Sequence, residues 1–236
     1  MKAIGIIGYK KSGKTTLGVR LARELTRMGR RVGVVKHSSC SFDFAEADTS
    51  KYRPYASAVS GTSPGETEIM LRGEKSIEEI LTYYECDLVL IEGFKREKTF
   101  PKIVCLRRAE EKEELFDGLE LFTASFNKDI SDFDIMDDGH LRSMAEKAIE
   151  KGFKLPKHDC GLCGHKTCLD LARELVAGKA SIEKCVVHPV SVRVNGRAHP
   201  LDGDTALRIR ESVLRWLPSV GGGAGKIEID ISDEKA

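Results

Sequence analysis

Two groups of residues in this 236-residue chain have types and spacing that can do chemistry. The first is Gly8-Tyr9-Lys10-Lys11-Ser12-Gly13-Lys14-Thr15, followed by Thr16, which fits G-x-x-x-x-G-K-[ST]. Glycines let a backbone wrap with its N–H groups turned onto phosphates, and the Lys14 ammonium reaches the terminal phosphates. The Thr15 hydroxyl is placed to ligate Mg²⁺. The second group is Cys160, Cys163, Cys168 and Cys185, a C-x2-C-x4-C-x16-C array with glycines at 161 and 164. Soft thiolates select zinc or an iron–sulfur cluster, and the glycines permit the tight wrap that both need. Structural zinc more often uses two separated C-x2-C knuckles. Here the fourth ligand returns only after a helix, and the residues by themselves leave zinc and an iron–sulfur cluster both open.

A phosphate loop needs a strand before it and a helix after it. Ile4, Ile6 and Ile7 supply the apolar run, and Leu17, Leu21, Leu25 and Met28 fall on one helical face closed by Gly29. Val32, Val34 and Val35 make the next strand, and residues 37–55 read as a long polar loop. Glu66 to Leu71 reads as a strand, and 76–84 as a helix opened by a Ser76/Glu79 capping box. Residues 88–91, 103–106 and 119–124 are strand-like, and 138–151 helical. Apolar strands alternating with amphipathic helices predict an α/β fold of P-loop NTPase type, a mostly parallel sheet with helices on both faces.

That unit is expected to span 1–151. A linker from Gly152 to His158 leads into a four-cysteine domain at 152–188, where Leu171, Ala172 and Leu175 share a helix face with Cys168. The helix N-terminus then points at an anionic cluster, a favourable dipole arrangement. Residues 189–236 are expected to form a small α+β segment. Val190, Val192 and Val194 alternate, Asn195-Gly196 signals a hairpin, 205–216 is helical with Trp216 in a core rather than anchoring an interaction platform, and Ile227, Ile229 and Ile231 line a last strand. Gly221-Gly222-Gly223 breaks the chain before that strand, and Asp233 to Ala236 is expected to fray.

Other residues fall at the edge where ligands of open α/β sheets bind. Glu92 ends the strand that Asp87 opens, which makes it the candidate for the Mg²⁺ shell or for orienting a water. Lys14 and Glu92 are therefore the candidate catalytic pair, a solvated strand-end carboxylate being the alternative for Glu92. His37 follows a strand and faces the same crevice, or is a solvated loop histidine. Asp43 and Asp48 are placed to ligate Mg²⁺ through water, or to start turns. Asn127-Lys128-Asp129 departs by one residue from the guanine-reading Asn-Lys-x-Asp, so a polar turn is an equal reading. His158 and His165 are adjacent spare ligands that read as surface residues rather than as part of the site, and Cys40, Cys86 and Cys105 read as inert buried or loop thiols.

Lysine plus arginine number 38 against 37 acidic residues, so nothing in the charge calls for a nucleic-acid or membrane partner. No apolar run approaches the roughly 18 residues of a membrane span. The N-terminus does not read as a signal peptide, so a cytoplasmic protein is expected, in which seven cysteines are not a disulfide framework.

The ordered set Gly8 to Leu17, Val35-Lys36-His37, Phe42-Asp43, Asp48-Thr49, Ile91-Glu92-Gly93-Phe94-Lys95 and Pro101-Lys102-Ile103 resembles the MobB family of molybdopterin-guanine dinucleotide biosynthesis. The resemblance implies a GTP-binding homodimeric adaptor with at most weak GTP hydrolysis, whose partners are the molybdopterin guanylyltransferase and molybdoenzyme targets. It places His37, Asp43 and Asp48 in a polar loop near the nucleotide. Ala56-Ser57-Ala58 stands where that family usually shows Ala-Gly-Ala. Residues 160–185 resemble the four-cysteine [4Fe–4S] domain of corrinoid iron–sulfur proteins, although proline comes later after the last cysteine. The expected function is a GTP-binding accessory protein of molybdenum or tungsten cofactor maturation with a fused cluster. A hydrolysis-coupled electron-transfer protein and a zinc-stabilised P-loop scaffold are the alternatives.

Overall fold

The chain is described by a computed structural model covering residues 1–38, 48–187, 190–195, 197–199, 201, 203–216 and 227–231. β1 (Lys2–Gly8) buries Ile4 and Ile6 on one side and Ala3 and Ile7 on the other, as a strand covered on both faces must. The phosphate loop joins it to α1 (Lys14–Arg27), which buries Leu17, Leu21 and Leu25. Beyond that helix Gly29 takes the left-handed φ of 76° that ends it, its N–H donating to Thr26 O. β2 (Val32–Lys36) follows, then a short 3-10 turn at Asp48–Tyr52 inside the predicted polar loop.

β3 (Ala58–Thr62) and β4 (Thr67–Leu71) pair antiparallel as a separate two-stranded hairpin. α2 (Ile77–Leu81) has the expected capping box: Glu79 N donates to Ser76 Oγ at 3.2 Å, and Ser76 N donates to Glu79 Oε2 at 3.0 Å. It is shorter than the 76–84 pattern predicts, its last turn closing where the Thr82 hydroxyl donates back to Glu79 O. β5 (Leu88–Glu92) and β6 (Lys102–Cys105) lead to α3 (Glu111–Leu115), and β7 (Glu120–Ser125) to β8 (Phe133–Asp134) and α4 (Asp138–Lys151).

The main sheet runs β2-β5-β1-β6-β7-β8, and every pairing in it is parallel. α1 and α4 cover one face through Leu17, Leu21, Leu141 and Met144. α2 covers the other through Ile77 and Leu81, extended by α3 through Leu115. β1 lies between β5 and β6, so its carboxyl end opens at a switch in strand order, where ligands of such sheets bind.

α5 (Cys168–Val176) follows the cysteine loop. β9 (Val190–Val194), β10 (Arg197–His199), α6 (Gly203–Trp216) and β11 (Ile227–Ile231) complete the described chain. β9 pairs antiparallel with β10 and parallel with β11. Gly196 of the predicted hairpin turn, Gly221 to Gly223 and the last five residues lie outside the described residues, as does the Trp216 side chain.

Residues from 153 onward share one apolar cluster. Phe153, Leu155, Leu171, Ala172, Cys185, Val187, Val190 and Ala206 pack together, with Leu119 of the first unit among them. Leu155 N donates to Thr99 O at 2.7 Å, and Lys154 pairs with Glu78 at 2.7 Å. Lys102, inside β6, is fully buried. Its ammonium donates to Asp117 Oδ2 at 2.6 Å and to Lys95 O at 3.0 Å, and Asp117 O accepts from Arg173 Nε of α5 at 2.8 Å. An ion pair at this depth demands full pairing, because a lone buried charge is costly.

Candidate functional site

The phosphate loop is shaped by close packing beneath it. At Gly8, φ is 150° and a Cβ would lie 2.4 Å from Cys105 O and 2.5 Å from Ser12 Oγ. At Gly13, φ is 89° and a Cβ would meet Ile135 at 2.7 Å. Only glycine fits either position. Residues Lys11 to Thr16 line a hollow over the start of α1, whose N-terminus has no side-chain cap. Its first N–H groups are thus left for an anion. Ser12 is buried, and its Oγ has no hydrogen-bond partner. Lys14 Nζ reaches back along the loop and donates to Tyr9 O at 2.7 Å.

At the rim, the Thr15 hydroxyl donates to Glu92 Oε1 at 2.7 Å. The parallel register that sets Ile6 opposite Glu92 brings the end of β5 to the start of α1. The edge between neighbouring ligands in a Mg²⁺ octahedron is about 3 Å, so these two oxygens suit one metal. β2 adds Lys36, 3.2 Å from Glu92 Oε1 and 3.3 Å from Thr15 Oγ1.

Tyr9 carries two further cations. Lys95 Nζ sits 3.9 Å from its ring centroid and Arg107 Cζ 5.0 Å, while its hydroxyl donates to Glu114. That hydrogen bond raises the Tyr9 pKa, and burial followed by the Lys14 charge lowers that of Lys95. Lys36 and Lys95 belong to the sequence pattern but carry no obvious role there. The signal that marks them is position, each lying at or just past a strand's carboxyl end.

The other expected residues divide. His37 N donates to Glu92 O at 2.9 Å, but its ring tilts against Phe94 and Nε2 stands 3.4 Å from Glu74 Oε1. Asp43 and Cys40 lie outside the described residues, and of Asp48 only the backbone is described. Asn127 Oδ1 accepts from Asp129 N at 3.0 Å, capping its own turn. Asp87 holds Arg31 at 3.0 Å, at the opposite end of β5 from the phosphate loop. Cys105 is buried under Gly8, and burial pushes its thiol up to about 12, which leaves it unreactive.

Cys160, Cys163, Cys168 and Cys185 line one cavity with Pro156, Leu171 and two histidines. Gly161 and Gly164, at φ 73° and 84°, turn the first loop around it. Cys168 opens α5 under a capping box in which Asp170 N donates to Thr167 Oγ1 at 3.2 Å and Thr167 N to Asp170 Oδ2 at 3.1 Å. Cys168 N also donates to Asp159 Oδ1 at 2.6 Å, and Cys185 is buried in the adjoining core. A four-thiol set on an otherwise apolar wall is the donor chemistry of a soft metal centre. Among the described residues, no three His, Cys, Asp or Glu side chains are grouped to hold a single metal ion. Burial raises the Cys168 pKa, so loading a metal there releases a proton. His158 and His165, read from sequence as surface residues, are half-buried in the cavity wall. His165 Nε2 lies 3.1 Å from Glu174, and its Nδ1 is buried without a partner. A lone histidine beside a cysteine loop carries no periodicity that would have revealed this.

A parallel sheet with a phosphate loop at its switch point, a hydroxyl–carboxylate pair on the rim and a four-thiol cavity alongside defines a P-loop nucleotide-binding protein with a metal-type module. The family model for "MobB: Molybdopterin guanine dinucleotide synthesis protein B" matches residues 3–124, and the chain belongs to that family. A second model, "Putative Fe-S cluster", matches residues 155–187. A "Putative molybdopterin-guanine dinucleotide biosynthesis adapter protein" of Methanocaldococcus jannaschii is 26% identical over 248 aligned positions, covering 100% of both chains. The "Corrinoid/iron-sulfur protein large subunit" of Moorella thermoacetica is 36% identical over 81 residues, 34% of this chain and 15% of that one. The crystal structure of Bacillus subtilis MobB shares the fold, with a TM-score of 0.55 at 22% identity over 62% of this chain and 98% of that one. No helix among the described residues is long and apolar enough to cross a membrane.

Proposed function

We propose that the chain is a GTP-binding adapter in molybdopterin-guanine dinucleotide biosynthesis, with a [4Fe–4S] cluster on its second module. Gly8 to Thr16 cradle the phosphates, Lys14 neutralises them, and Thr15 with Glu92 holds Mg²⁺. Cys160, Cys163, Cys168 and Cys185 hold the cluster. The protein works as a homodimer beside the molybdopterin guanylyltransferase and hands its product toward molybdoenzymes; hydrolysis at Lys14 and Glu92 is weak. Family membership supports the pathway, and the 2.7 Å contact between Thr15 and Glu92 carries the nucleotide reading. A bound Mg²⁺ would supply charge neutralisation at the phosphates.

Calorimetry with GTP, ATP and Mg²⁺, run beside iron and sulfide analysis of anaerobically purified protein, tests both halves. Preference for ATP, or one zinc in place of iron and sulfide in equal amounts, overturns the corresponding half. Lys14→Ala is expected to abolish nucleotide binding and keep the metal, and Cys163→Ser the reverse. A substitution that removes both properties breaks the two-site reading.

One observation favours a second reading, in which nucleotide drives electron delivery. Contacts run unbroken from Tyr9 through Lys95, Lys102 and Asp117 to Arg173 of the helix that begins at Cys168. A cluster reduction potential that shifts when GTP binds would support it.

A further inference from the structure

We infer that Lys36 is an internal counterion for the metal site, a cation that Mg²⁺ must displace before the phosphate loop can hold a metal–nucleotide complex. This rests on the reading of Thr15 and Glu92 as the Mg²⁺ pair. Lys36 is the last residue of β2, and the parallel register sets it opposite Glu92 on β5. Its ammonium stands 3.2 Å from Glu92 Oε1 and 3.3 Å from Thr15 Oγ1, the two oxygens that are themselves 2.7 Å apart. All three contacts thus close one triangle.

A Mg²⁺ ion held by both oxygens at about 2.1 Å can stand no more than about 5 Å from the Lys36 nitrogen, whichever side it takes. Two cations carrying three positive charges at that separation repel strongly in a site where Glu92 is only 12% exposed. Lys36 itself is 45% exposed and hangs from a strand end, so it is able to swing to solvent without disturbing the core. In the metal-free chain it keeps the Glu92 carboxylate neutralised and aimed at Thr15. Metal loading and lysine engagement are thereby linked, each opposing the other by the same free energy.

The linkage gives a test with an unusual sign, since removing a cation should strengthen cation binding. The Mg²⁺ concentration for half-maximal GTP binding is measured by calorimetry on the full, cluster-loaded chain, in wild type, Lys36→Met and Lys36→Arg. Lys36→Met is expected to lower that concentration about three- to fivefold, the scale of one partly exposed ion pair. Lys36→Arg is expected to stay within about twofold of wild type, because it keeps the charge. An unchanged requirement in Lys36→Met overturns the proposal, and so does a raised one, which makes Lys36 a phosphate-holding residue instead. A wild-type chain that binds GTP without any Mg²⁺ dependence overturns the Thr15–Glu92 metal pair, and the Lys36 role with it.

Discussion

The phosphate loop and the cysteine cavity are both built around glycine turns that lead into a helix, yet they stand on different foundations. The loop is seated on a parallel sheet whose strands are buried on both faces, and its own glycines are pressed against Cys105 and Ile135. Its binding groups are largely backbone N–H groups, which the fold holds whether or not a ligand is present. The cavity is made of four side chains on a surface loop, one short helix and one 3-10 turn. Nothing beneath Gly161 or Gly164 presses on them: a Cβ at Gly161 meets His165 O only at 3.9 Å, and one at Gly164 meets nothing within 4 Å. One site is made by the fold, and the other is expected to help make it.

The sharpest way to break this contrast is to remove the metal. Cys185→Ser takes out the one of the four proposed ligands that is itself buried in the second apolar core. Metal binding contributes on the order of 10 kcal/mol to small metal-folded modules, so residues from about 155 onward should become protease-sensitive while the parallel sheet keeps its thermal transition. Simultaneous loss of both transitions would show that the two regions are one cooperative unit.

Next in size is a matched pair of glycine substitutions. Gly8→Ala forces a Cβ into the Cys105 carbonyl and should weaken GTP binding at least a hundredfold, about 3 kcal/mol, with iron content unchanged. Gly161→Ala has room and meets only the left-handed backbone penalty, about 1–2 kcal/mol, with the metal retained. Equal effects in calorimetry and metal analysis would erase the distinction.

A comparable effect is expected at the junction. Burial opposes charge on Asp117, but hydrogen bonds from Lys102 and Lys98 and their charges outweigh it and hold the carboxyl below its usual range. A carboxyl depressed in the folded chain stabilises it above its unfolded pKa of about 4 and loses that contribution as pH falls through the folded value. Asp117→Asn leaves the buried Lys102 without its counter-charge. It should cost roughly 3 kcal/mol at neutral pH in urea unfolding and flatten the acid limb of stability below about pH 4. An unaltered acid limb would show that the Asp117 carboxylate does not carry that pH dependence.

Much of this was legible before folding. The spacing of Leu17, Leu21 and Leu25 predicts the face that α1 buries, and Ser76 with Glu79 predicts the cap of α2. β3 was not legible, because its residues 58–62 form an exposed hairpin strand with little apolar patterning. α3 and β8 were missed for another reason: five acidic-rich residues and two residues are too short to show a period. His165 was misread as a surface residue because its burial comes from the cavity wall rather than from its neighbours in sequence.

By itself the sequence determined the phosphate loop, the four-thiol spacing and the α/β alternation, since each is a pattern along the chain that does not depend on which elements become neighbours. The tertiary structure alone decided the strand order that sets β5 and β2 beside β1. That order brings Glu92 and Lys36, 77 and 21 positions from Thr15, into contact with it. It also decided that Leu119 joins the core of the cysteine module and that Arg173 ties α5 to Asp117. Local spacing records which side of an element is buried. Which elements become neighbours is chosen by the packing of the whole chain, and no single segment carries that information.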